Sequence, residues 1–202
     1  MKPLGPIPAG YGTIDGELAV DGVTASALVE RGGQTPLFVY SAALIRQRVA
    51  ALRHALPARL GLHFAVKANP FGPVLQLMDG LVDGFDIASA GELAMLRAAG
   101  IDPALVSFAG PGKRDAELEA AIATGVTLHL ESEAEAARAL DIAARLGVAP
   151  RLAIRVNPDF DLKGSGMKMG GGAKPFGLDA ERVPALARLG DAPGAFAAYQ
   201  RS

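Results

Sequence analysis

From about Leu60 onward the chain repeats one unit: a short, β-rich apolar run followed by a segment of helical period. The runs begin near Gly61, Asp83, Leu105, Val126 and Arg151. Strand alternating with helix implies a parallel sheet, because two parallel strands need a crossover connection between them. The two faces of the runs then restrict the kind of sheet. One face carries Leu62, Phe64 and Val66, then Phe85 and Ile87, Val106 and Phe108, Val126, Leu128 and Leu130, and Leu152, Ile154 and Val156. The other carries His63, Ala65 and Lys67, then Asp86 and Ala88, Ser107 and Ala109, Thr127, His129 and Glu131, and Ala153, Arg155 and Asn157. A doubly wound sheet is covered by helices on both faces and is apolar on both. A barrel has one helix-covered face and one interior face. The split between a wholly apolar face and a small or polar one therefore predicts an α/β fold, a partial (β/α)8 TIM barrel of about five βα units. In such a barrel the site lies at the C-terminal strand ends, where Lys67, Ala88, Glu131 and Asn157 fall.

Local signals agree with the repeat. Ser132 with Glu135, and Ser89 with Glu92, read as capping boxes at helix starts, and Gly100 and Gly147 stand where helix ends favour positive φ. Before the repeat, residues 1–33 are rich in Gly and Pro with a few β-type fragments. Thr35 to Tyr40 reads as a strand leading into a helix from Ala42 to Leu56. The segment 163–177, with six glycines and three lysines, is too long and too glycine-rich for a routine connection. It lacks the Walker spacing and reads as a lid over the barrel mouth, with phosphate binding second. Five strands of eight are visible, so the barrel does not close and an open edge remains.

The composition removes several classes of function. Lys+Arg 20 against Asp+Glu 21, a formal charge of −1 and no run of like charges give no electrostatic reason to bind nucleic acid or an anionic membrane. The first residues lack a signal-peptide core and no apolar run approaches a membrane span, so the expectation is a cytoplasmic protein with a small-molecule ligand. With no cysteine there is no disulfide, thiolate ligand or thiol nucleophile. No histidine pair has metal-ligand spacing, and no metal is expected.

Lys67 is the leading chemical candidate. An inward-facing lysine at a strand end, desolvated by its surroundings, is a Schiff-base nucleophile; the rival reading is a lysine in a salt bridge at the barrel mouth. Asp86 has a structural rival role as the ion partner of Lys67 or Arg155, and Arg155 as the other half of that pair. His63 and His129 lie deeper on the interior face and read as satisfied core histidines.

Ala65-Val66-Lys67-Ala68-Asn69 resembles the cofactor-lysine motif of the pyridoxal phosphate (PLP)-dependent ornithine, diaminopimelate and arginine decarboxylase family, which shares its barrel with alanine racemase. The run from Gly84 to Leu93 resembles that family's second-strand motif, and Ala153-Ile154-Arg155-Val156-Asn157-Pro158 its fifth-strand motif. The run from Lys67 to Gly72, with Gly164 to Gly172, is most similar to the exosortase A system-associated branch, which implies exopolysaccharide biosynthesis.

The resemblance implies pyridoxal 5'-phosphate as cofactor and an amino acid as substrate, with Lys67 bonded to the cofactor. It also implies Asp86 and Arg155 near the cofactor, Ala65, Ser89, Glu92 and Asn157 around the pocket, and a homodimer. It places residues 1–34 in a second β-domain, 35–190 in the partial barrel and 191–202 in an irregular tail. The ring-stacking histidine, the phosphate-binding glycines, the acidic partner of the pyridine nitrogen and the C-terminal β-domain of the family lie beyond residue 202. The chain alone is therefore expected to be a weak or inactive carboxy-lyase. The alternatives are a non-catalytic barrel fragment and an alanine-racemase-like PLP enzyme.

Overall fold

The computed structural model describes residues 10–157 and 175–189. Contacts divide the chain into two compact units, 1–60 and 61–202. The first is a three-stranded antiparallel sheet of β1 (Gly12–Ile14), β2 (Glu17–Val20) and β3 (Val23–Thr24), followed by α1 (Ala25–Gly32) and α2 (Ala42–Ala55). Two Asp-Gly pairs make its turns. Asp15 and Asp21 both adopt φ of 50°, with Gly16 and Gly22 at 82° and 74°, the left-handed pair that a two-residue hairpin of type I′ requires. Thr24 and Ser41 cap the two helices through their side-chain oxygens.

The helix expected from Ala42 forms as α2 and ends with Leu56 as its C-cap. The strand expected from Thr35 to Tyr40 does not form. Those residues have β propensity, but a strand exists only through its partner. None of the described strands pairs with them, and Pro36 to Tyr40 lie exposed as irregular chain. α2 belongs to the first unit, which ends at Leu60. The tail 191–202 and residues 163–174 of the glycine-rich segment lie outside the described residues.

The second unit is the βα repeat. Its strands are β4 (His63–Ala65), β5 (Gly84–Ile87), β6 (Val106–Phe108), β7 (Thr127–Leu130) and β8 (Arg151–Ile154), all parallel and in sequential order. The intervening helices are α3 (Gly72–Met78), α4 (Ala90–Ala98), α5 (Asp115–Thr124) and α6 (Glu133–Leu146). The apolar face is the buried one: Phe85, Phe108, Leu128, Leu130 and Leu152 are all closed to solvent. Each contributes about 1.5–3 kcal/mol by leaving water. Phe64 and Phe85 meet edge to face on this side, with centroids 6.3 Å apart. The opposite face stays partly open, as an interior face does where strands do not close around it. The partial barrel expected from the strand faces is thus the observed fold.

Register places like with like. Asp86 stands beside Ala65 and Ser107, and His129 beside Ala153. Gly84 is required where His63 crosses it, since a Cβ there would sit 2.7 Å from both His63 Cε1 and the Leu105 carbonyl oxygen.

After a one-residue break β8 continues as β9 (Val156–Asn157), which pairs in parallel with β10 (Leu178–Asp179); α7 (Val183–Leu189) follows. The chain therefore takes one short further parallel step directly after the glycine-rich segment. The sequence pattern does not show this step, because two residues are too few to carry a period.

Candidate functional site at the C-terminal strand ends

Lys67 does not end a strand. β4 stops at Ala65, and Val66 to Ala68 form a single 3-10 turn whose Val66 side chain is fully buried and whose Lys67 is exposed. The desolvation expected of this lysine is not realised, because the turn lifts it above the layer of side chains filling the sheet's inner face. Among the described residues no group pairs with its Nζ. Small residues stand at the ends of three neighbouring strands: Ala65 in β4, Ala88 directly after β5 and Ala109 directly after β6.

The expected ion partners are exchanged. Asp86 pairs with neither Lys67 nor Arg155 but with His63, whose Nδ1 lies 3.0 Å from Asp86 Oδ1. His63 is exposed rather than a core histidine. Arg155 donates instead to Glu131, with Nη1 3.0 Å from Oε1. His129 does read as a satisfied interior histidine, its Nε2 2.7 Å from Ser107 Oγ. Burial pushes its pKa below the usual value, outweighing the opposing pull of the Asp86 carboxylate.

Ser89 and Ser132 cap their helices as expected, accepting from the backbone N–H groups of Glu92 and Glu135. The glutamates do not complete capping boxes. Glu92 accepts from Ala88 N at 2.7 Å and Glu135 from Glu131 N at 2.8 Å, each one residue before the cap. The reason is shared: one residue separates each strand end from its capping serine, Ala88 after β5 and Glu131 after β7, and the glutamate satisfies the N–H that the ladder leaves over there. Asn157 is buried, with Nδ2 3.3 Å from Asp179 Oδ1 across the β9–β10 pair.

Two further residues belong to this rim. Lys113, in the loop between β6 and α5, is buried against Glu135. Glu131 gathers donors from three strand ends: Gly110 N at 2.6 Å, Arg155 Nη1 at 3.0 Å and Gly177 N at 2.9 Å. The interior parity pointed to Glu131 and Arg155, but the other two donors, Gly110 and Gly177, come from loops that carry no period. Among the described residues no group of three or more His, Asp or Glu side chains gathers as metal ligands, and no helix is long and apolar enough to cross a membrane.

Parallel strands covered by helices on one face, with a lysine amine raised above the C-terminal ends of the other, define part of a β/α barrel of the kind that carries a small-molecule site. Residues 42–194 match the family described as pyridoxal-dependent decarboxylase, pyridoxal binding domain, and the chain belongs to that family. It is 43% identical over 151 residues to a diaminopimelate decarboxylase of Aquifex aeolicus, covering 74% of this chain and 35% of that one. It is 32% identical over 168 residues to the L-glutamyl-(BtrI acyl-carrier protein) decarboxylase of Niallia circulans, covering 83% and 39%. The structure of diaminopimelate decarboxylase from Helicobacter pylori, complexed with L-lysine, superposes with a TM-score of 0.74 at 28% identity, covering 84% of this chain and 44% of that one. The chain thus spans well under half the length of these relatives.

Proposed function

We propose that this chain carries the PLP-holding portion of an amino acid decarboxylase, with Lys67 as the residue bonded to the cofactor. The observation that carries this reading is the position of Lys67: exposed, on the turn after the first barrel strand, with alanines at the ends of that strand and the next two. A primary amine open to solvent suits an aldehyde partner, and small residues at the strand ends suit a planar ring. When bound, the cofactor draws electrons from the bond to the departing carboxylate.

The chain's own residues have separate tasks. Lys67 Nζ would hold the cofactor. Arg155, fixed by Glu131, presents a positive charge from beneath, and Asp86, oriented by His63, a negative one. Glu92 and Ser89 fix the strand-end backbone at Ala88 and the start of α4; Ala65 and Asn157 complete the pocket wall. The substrate is an α-amino acid. The diaminopimelate decarboxylases among the relatives favour one with a second polar end, whereas none of the relatives named above supports the exosortase-associated branch. A homodimer and a cytoplasmic place of action accompany the family reading. For the 202-residue chain assayed alone we infer weak turnover or none.

Titration with PLP tests the reading. The expected result is a visible absorption band, absent in Lys67→Ala, and after borohydride reduction a tag on the peptide containing Lys67. A tag spread over surface lysines, or a band that survives Lys67→Ala, would sink the assignment.

A further inference from the structure

Among the described residues, the second unit contains two ion pairs in which the carboxylate is closed to solvent, and they differ in one respect. Lys113 and Glu135 are sealed on both sides, with 2% and 3% of their side chains exposed. Glu131 is equally sealed at 2%, but its partner Arg155 keeps 29% of its side chain open. Arg155 directly follows β8 and continues the alternation of Ala153, which stands beside His129 on the inner face. A sealed pair can only be structural, whereas a guanidinium held from one side and open on the other can still meet a ligand.

Among the described residues, Glu131 and Phe176 hold that guanidinium, and further bonds hold the Arg155 backbone. Glu131 Oε1 accepts from its Nη1 and from Gly110 N, while Glu131 Oε2 accepts from Gly177 N. The Phe176 ring centroid lies 5.0 Å from its Cζ. The Arg155 carbonyl accepts from Leu178 N at 2.8 Å, and Arg155 N donates to Leu130 O at 3.0 Å. Gly177, at φ of 75°, has no room for a side chain: a Cβ would lie 2.8 Å from the Arg155 carbonyl oxygen. Glu131 itself is held at its backbone by Glu135.

We propose that Glu131 is a positioning residue for the cofactor site, acting through Arg155. It locks the guanidinium and the backbone at Gly177 into one geometry, and so sets the affinity for the cofactor. This rests on the reading above, in which Arg155 lies beneath the PLP site. Glutamine at 131 keeps the size of the side chain but turns one acceptor into a donor facing donors, so at least one of the three contacts is lost and Arg155 loses its counter-charge.

The test is a double-mutant cycle on PLP affinity in the full chain, using Glu131→Gln, Arg155→Met and both together, with thermal unfolding of each. Glu131→Gln is expected to weaken binding roughly tenfold, the effect of losing a charged hydrogen bond. The double variant should bind no more weakly than Arg155→Met alone. Wild-type affinity in Glu131→Gln, or the same loss persisting in the Arg155→Met background, would overturn the proposal; the second outcome marks a purely structural carboxylate. If the wild-type chain takes up no PLP at Lys67, the functional reading fails by itself. Amide exchange then decides the positioning, since Glu131→Gln should speed exchange at both Gly110 and Gly177, and unchanged exchange would refute it.

Discussion

Lys113 Nζ stands 3.0 Å from Glu135 Oε1 and 3.1 Å from Oε2, and it also donates to the carbonyl oxygens of Gly110 and His129 at 2.7 and 2.8 Å. The ammonium thus has a counter-charge and two carbonyl acceptors in a place that water does not reach. The pair ties the loop after β6 to the start of α6.

Breaking one side of this pair leaves the other charge buried alone. Glu135→Gln and Lys113→Met are each expected to lower stability by about 3–5 kcal/mol. Lys113→Met with Glu135→Leu should cost less than the two single losses added, because neither charge is then stranded. Urea denaturation of the three variants measures this, and additive losses would show that the ion pairing is not what matters.

His129 makes stability depend on pH with a known sign. Burial holds its folded pKa below the ordinary histidine value of 6.5, so below that pH the unfolded chain takes up more protons than the folded one. Its contribution is fully present above pH 6.5 and is lost as pH falls through the lower folded value. Denaturation midpoints measured from pH 7.5 downward should fall more steeply for wild type than for His129→Gln. Equal slopes would mean that the histidine is solvated in the folded state.

Glu117 acts at a more acidic pH. Its carboxylate accepts from Arg114 N at 3.1 Å and Ala90 N at 3.2 Å, joining the starts of α5 and α4, and these backbone bonds hold its pKa below the usual 4.5. A carboxylate with a depressed pKa stabilises the fold above the unfolded value and loses that effect as pH drops through the folded one. Glu117→Ala is expected to cost about 1 kcal/mol at neutral pH, the usual worth of a helix-start contact, with the gap to wild type narrowing below pH 4.

Gly84→Ala should disturb the inner face from beneath. The added methyl meets a backbone carbonyl and the His63 ring, and the ring is the part able to move. A loss of about 1–3 kcal/mol is expected from overpacking, together with a weakened His63–Asp86 contact visible in the imidazole NMR signals. A variant as stable as wild type, with those signals unmoved, would contradict the observed packing.

How far the sequence reaches is clearest from pairs of residues. The apolar runs repeat with constant parity, so Phe85, Phe108, Leu128 and Leu152 could be placed against helices before any coordinates. Charged partners could not. Asp86 faces inward with Lys67 and Arg155, and parity cannot tell that His63 would take it, because the choice depends on one residue of register and on the bare surface of Gly84. Lys113 lies in a loop of Gly110, Pro111 and Gly112 where no period operates, and only the fold brings it to Glu135. The strand expected at Thr35 to Tyr40 fails for a related reason: propensity resides in the residues, but pairing resides in the neighbour.

The sequential order of β4 to β8 has a consequence for how the molecule is made. Each strand's earlier partner is the strand synthesised just before it, and each crossover closes a loop of a single repeat. Non-local closure costs are therefore met in small instalments. The sheet can be laid down in the order in which the ribosome releases the chain, and the strand that leads into Lys67 has its pairing partner β5 synthesised well before Arg155.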